Sequence, residues 1–122
     1  MATYVVSDLH GQYDLFIKGL DEIGFNDHDE LYVLGDVIDR GSAGIKILLS
    51  IKEHKNMELL LGNHEFMMLN SVHPDGEIKT PGRDANIWLN HNGGDATFNE
   101  YKELDEEKRK TIYEKLRKLD IE

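Results

Sequence analysis

One pattern constrains the fold of this chain more than any other. Three short apolar runs, residues 3–6, 31–34 and 57–61, each end in a turn of glycine and polar residues, and a helical stretch follows each turn. Their β-forming content and turn boundaries predict strands buried on both faces of a parallel sheet. Between the first two runs, residues 12–23 place Phe16, Ile17, Leu20 and Ile23 on one helical stripe, with Gly24 as the stop. Between the second and third, residues 43–54 repeat the plan with Ile45, Leu48 and Leu49, and Ser42 is the expected N-cap. Strand–helix–strand–helix–strand with short links predicts an α/β fold, a parallel βαβαβ sheet flanked by helices.

The remainder reads as a helical C-terminal segment. Residues 64–72 look helical, and residues 73–83 hold Pro74, Gly76, Pro81 and Gly82 and so form a loop. Short helices over 84–90 and 95–101 flank the Asn92-Gly93-Gly94 turn, and 104–119 carries Ile112, Leu116 and Leu119 on one face among alternating charges. Met67, Met68 and Trp88 are assigned to packing, His91 to the turn, and His28, His54 and His73 to the surface. With 122 residues the chain suits one domain, 1–122.

Composition narrows the function classes. Fourteen Lys+Arg against 24 Asp+Glu give a net charge of −10, which disfavours nucleic acid and anionic membranes as partners. No cysteine is present, so a metal would fall to His, Asp, Glu or Asn. No basic lead precedes an apolar N-terminal segment and no apolar run nears ~20 residues, so a cytoplasmic protein is expected.

The chemistry-bearing residues sit where the strands end: Ser7-Asp8-Leu9-His10-Gly11, then Gly35-Asp36-Val37-Ile38-Asp39-Arg40-Gly41, then Gly62-Asn63-His64-Glu65. Asp8 to Asp36 is 28 residues and Asp36 to Asn63 is 27, each close to the ~30 residues of one βαβ unit. A parallel sheet brings such turns to one edge. Carboxylates and imidazoles converging there repel one another unless a cation joins them. Mixed oxygen and nitrogen donors suit Mn²⁺, Fe or Zn²⁺ better than Ca²⁺. Asp36, placed between the other two turns, can bridge two ions, the arrangement suited to phosphoryl transfer, and Arg40 adds a planar fork for phosphate. Each turn also has a plainer reading. Asp8 and His10 could simply shape a strand-to-helix turn, residues 36–41 an Asx-type turn, and Asn63 the N-cap of the next helix. Three turns in order, at matching intervals, weigh against coincidence.

These motifs resemble those of the PPP family of metallophosphoesterases, which includes calcineurin-like serine/threonine phosphatases and bacterial diadenosine tetraphosphate hydrolases. That family reads Gly-Asp-x-His-Gly, Gly-Asp-x-x-Asp-Arg-Gly and Gly-Asn-His-Glu; here Ser7 replaces the first glycine. Trp88-Leu89-Asn90-His91-Asn92-Gly93-Gly94 followed by Thr97 is also similar to a Trp-x-x-Asn-Gly-Gly stretch of bacterial members, with one extra residue. The resemblance implies the first half of a four-layer fold, with Asp8 and His10 on a first metal, Asp36 bridging and Asn63 on a second. It further implies that Arg40 holds phosphate and that His64, oriented by Asp39, is the general acid of a direct attack by water on phosphorus. Family members continue into a second sheet that supplies two more metal-ligating histidines. The chain therefore reads as truncated, able to hold one of the two ions, and prone to self-association through uncovered sheet surface. The expected activity is hydrolysis of a phosphoprotein serine/threonine ester or small phosphoester. Dinucleoside polyphosphate hydrolysis and an inactive metal- or phosphate-binding fragment are the alternatives.

Overall fold

The computed structural model describes residues 2–79 and 82–119. Three strands, β1 (Thr3–Val6), β2 (Glu30–Val33) and β3 (Met57–Leu59), form a parallel sheet in the order β1-β2-β3. The register aligns Thr3 with Glu30 and Val6 with Val33, then Leu31 with Met57. Helix α1 (Tyr13–Glu22) links β1 to β2 and α2 (Gly44–Glu53) links β2 to β3. Helices α3 (Asn63–Ser71), α4 (Arg83–His91), α5 (Gly94–Lys102) and α6 (Glu106–Arg117) follow, so the predicted element order is reproduced. Pro81 of the expected loop lies outside the described residues.

Burial on both faces does not hold. Right-handed crossovers that step one way through 1-2-3 place α1 and α2 on the same side of the sheet. Leu31, Val33, Met57 and Leu59 point to that side and are buried. Val5, aligned with Tyr32 and Glu58, points the other way, and Val5 is 62% exposed. The strands therefore alternate, as a sheet covered on one face must. Among the described residues no strand pairs with the outer edge of β1, and beside it an apolar groove of about 390 Å³ runs along Val5, Leu15, Gly19 and Ile23. The predicted stripe on α1 is accordingly split. Phe16 is buried and Leu20 half-buried, whereas Ile17 and Ile23 are exposed because β1 is the last of the described strands beneath them.

Behind α2 the core continues through Met68, Trp88, Tyr101, Ile112 and Leu116, all within 1% of complete burial. Two capping details correct or sharpen the sequence reading. Ser42 does not cap α2; Ala43 occupies the N-cap, and the Glu100 carboxylate of α5 accepts hydrogen bonds from the backbone N–H groups of Ile45 (2.9 Å) and Lys46 (3.0 Å). A carboxylate there also meets the positive end of the helix. Helix α6 is capped by Asp105, whose side chain accepts from the Lys108 N–H at 2.8 Å.

Candidate active site

The three strand ends deliver three turns to one rim, and backbone hydrogen bonds knit them together. The N–H groups of His10 and Gly11 donate to the carbonyls of Asp36 (3.1 Å) and Val37 (2.7 Å). This packing leaves no room for side chains between the turns. A Cβ on Gly35 would sit 2.3 Å from the Gly62 Cα, and one on Gly11 would sit 2.5 Å from the Gly41 carbonyl carbon.

Asp8, His10, Asp36, Asp39 and Arg40 all have φ between 40° and 75°, and they are the non-glycine residues with positive φ among those described. Five of the seven candidate residues thus share a conformation that L-residues rarely adopt and that tends to cluster at functional sites.

Glu65 is the fastener. Its carboxylate is fully buried and accepts four backbone N–H groups: Oε1 from Asp36 (2.7 Å) and Gly62 (3.1 Å), Oε2 from Val37 (2.8 Å) and Ile38 (3.2 Å). Burial pushes its carboxyl above the usual range, and the backbone donors from residues 36–38 pull it back. The link to Gly62 also makes Gly62 the N-cap of α3, so Asn63 is the first helical residue, with an exposed side chain, and not the cap.

His10 and Asp8 face each other. The His10 Nδ1 lies 2.9 Å from the Ile38 carbonyl, which can only accept, so Nδ1 carries the proton and Nε2 presents a lone pair. That Nε2 is 3.6 Å from Asp8 Oδ1. Two acceptors at that separation suit a shared cation, because metal–ligand bonds of ~2.1 Å span it. The Asp36 Oδ1 accepts from the His64 N–H at 3.0 Å, which brings Asp36 beside the first turn of α3. The donor chemistry fits a divalent ion; among the described residues, however, no three His, Asp or Glu side chains close on a single point.

His64 completes the rim. Its ring stands edge-on to that of His10, with 4.7 Å between centroids. Its Nδ1 lies 2.7 Å from Asp39 Oδ2, which leaves Nε2 free. Asp39 is fully buried, and burial raises its pKa while hydrogen bonds from His64 and Trp88 to its carboxylate oppose the rise. The Trp88 indole N–H donates to the same Oδ2 at 2.7 Å, and the Thr97 hydroxyl accepts from the Asp39 N–H at 2.7 Å. Arg40 is exposed and has no ion-pair partner among the described residues.

The structure therefore brings Asp8, His10, Asp36, Asp39, Arg40, Asn63 and His64 to one edge. Sequence reasoning missed the parts played by Glu65, Trp88 and Thr97. Glu65 sits at the third position of α3, where a carboxylate can bond backward to the cap, and that was the available signal. Trp88 is buried as expected, but it also places its N–H on Asp39, which periodicity cannot show.

Residues 1–120 match the family model described as calcineurin-like phosphoesterase. The symmetrical bis(5'-nucleosyl)-tetraphosphatases of Haemophilus ducreyi and of Actinobacillus pleuropneumoniae serotype 3 are 42% and 41% identical over 71 residues, 57% of this chain and 26% of theirs. The matched 71 residues of this chain thus span about a quarter of the length of these curated relatives. Among solved structures, a metallophosphoesterase from Sphaerobacter thermophilus superposes with a TM-score of 0.63 over 96% of this chain and 40% of its own, at 15% identity, a likeness of fold.

Proposed function

The chain belongs to the calcineurin-like phosphoesterase family, and from that premise we propose that its rim carries out metal-dependent hydrolysis of phosphate esters. The observation that carries the reading is the buried His64–Asp39 pair, whose free Nε2 shares the rim with Asp8 and His10.

In this reading Asp8 and His10 would hold one divalent ion, and Asp36 and Asn63 would be the residues available to a second. Mn²⁺ is the first candidate, with Fe or Zn²⁺ as alternatives, and such ions supply Lewis acidity and an activated water when bound. Arg40 grips the phosphate oxygens with its fork. His64 Nε2 delivers a proton to the leaving oxygen, while Asp39 holds the Nδ1–H and stabilises the imidazole in the orientation this requires.

The test is hydrolysis of an aryl phosphate with Mn²⁺, compared across wild type, His64→Asn and Asp36→Asn. Loss of turnover in both variants supports the assignment; unchanged rates in either one overturn it. The substrate proposal is a phosphoprotein serine/threonine ester. A second reading, dinucleoside polyphosphate hydrolysis, is supported by the names of the curated relatives. Side-by-side rates on a phosphopeptide and on diadenosine tetraphosphate decide between them. A third, a binding fragment without turnover, predicts one weakly held ion in a Mn²⁺ titration and no hydrolysis. The cytoplasm is the proposed compartment, and among the described residues no helix is long and apolar enough to cross a membrane.

A further inference from the structure

Helices α4 and α5, joined through Asn92 and Gly93, reach the rim at three hydrogen bonds. The Trp88 indole donates to Asp39 Oδ2 (2.7 Å), the Thr97 hydroxyl accepts from the Asp39 N–H (2.7 Å), and the Gly93 carbonyl accepts from the Arg40 N–H (2.9 Å). The contact is close-fitting. A Cβ on Gly93 would lie 2.6 Å from Arg40 Cγ, and one on Gly94 would lie 2.4 Å from the Trp88 indole.

We infer that this helical hairpin is the clamp that holds Asp39 and Arg40 in working geometry, with Trp88 and Thr97 as positioning residues. The inference rests on the proposed roles of His64 and Arg40. Asp39 (φ 75°) and Arg40 (φ 70°) are consecutive left-handed residues, a state that persists only where the surroundings over-determine it. Their remaining backbone tie is local, from the Gly41 N–H to the Asp39 carbonyl at 2.8 Å.

The carboxylate tells the same story. Asp39 Oδ2 receives both His64 Nδ1 and Trp88 Nε1, while Oδ1 is buried without a partner among the described residues. With His64 as the single side-chain donor, either oxygen could turn toward the imidazole. The indole selects one of them and so fixes the plane in which His64 is held. Trp88 thereby acts on the acid through Asp39, without touching substrate.

The experiment uses the 122-residue chain and two conservative variants, Trp88→Phe, which keeps an aromatic ring and removes the N–H, and Thr97→Val, which removes the hydroxyl. Proton NMR follows the hydrogen-bonded Nδ1–H of His64, and amide exchange follows Asp39, Arg40 and the core strand residue Val33. The expected result for Trp88→Phe is a shifted or exchange-broadened His64 signal, which Asp39→Asn also produces. Both variants should speed amide exchange at Asp39 and Arg40 by about tenfold, the factor of one lost hydrogen bond, with Val33 unchanged. A purely structural role would move all three amides together, and that result overturns the clamp. So does a His64 signal and Arg40 exchange identical to wild type in the variants that fold; Thr97→Val decides alone if Trp88→Phe does not fold. These readings need no turnover, so an inactive chain counts against the proposed hydrolysis and leaves the NMR result to decide the clamp.

Discussion

Replacing Glu65 by Gln should be among the most destabilising conservative changes in this protein. Each carboxylate oxygen serves two backbone N–H groups, Oε1 those of Asp36 and Gly62, Oε2 those of Val37 and Ile38. Whichever way the amide of Gln turns, its NH₂ confronts two donors that have no other acceptor among the described residues. An unsatisfied buried donor costs about 1–3 kcal/mol, so the loss is about 2–6 kcal/mol. A domain of this size has a total of roughly 6–18 kcal/mol, so the change consumes a large share. At about 4 °C per kcal/mol, the Tm falls by about 8–24 °C. Urea and thermal unfolding followed by far-UV circular dichroism measure it, with Glu58→Gln, exposed on β3, as the control. A drop under about 1 kcal/mol, or one no larger than the control, would refute the view that Glu65 fastens the β2 and β3 turns together.

Three further outcomes follow from other contacts. Glu100→Ala removes the acceptor for the Ile45 and Lys46 N–H groups and should cost about 1–2 kcal/mol in urea unfolding, the worth of an N-cap, whereas Ser42→Ala should cost almost nothing. Burial pushes the Tyr101 hydroxyl up to about 12, while the unfolded chain releases that proton near 10. Stability from Tyr101 is therefore intact below pH 10 and drains by about 2 kcal/mol as pH rises to 12, an increment that Tyr101→Phe should lack in paired urea titrations. Val5 lies exposed beside the edge of β1 that pairs with no strand among the described residues, so the wild-type chain should self-associate in sedimentation velocity runs, and Val5→Lys should shift it toward monomer. Identical sedimentation of the two would count against an associating β1 face.

The sheet was legible because its signals are local. Each apolar run lies beside its own turn, so reading Val33 as strand and Asp36 as rim needs only a few neighbouring residues. The one-sided burial was not legible, since whether Val5 meets a helix depends on what covers the sheet. The same holds for contacts between distant segments. Glu100 replaces Ser42 as the cap of α2 from 55 residues beyond Ile45, and Trp88 finds Asp39 across 49. The assignment of Trp88 to packing was correct, and hydrophobic periodicity reports which face of a helix is apolar. It carries no information about where an indole N–H points once the residue is inside.

The left-handed turns also limit what can replace their residues. At Asp8, His10, Asp36, Asp39 and Arg40 the main chain rejects proline and disfavours valine, isoleucine and threonine before any reactivity is lost. Substitution there is channelled toward glycine, asparagine and aspartate, whatever selection asks of the side chain. A descendant released from its chemistry would still carry small, flexible residues at those places, a fossil of the shape outlasting the trade.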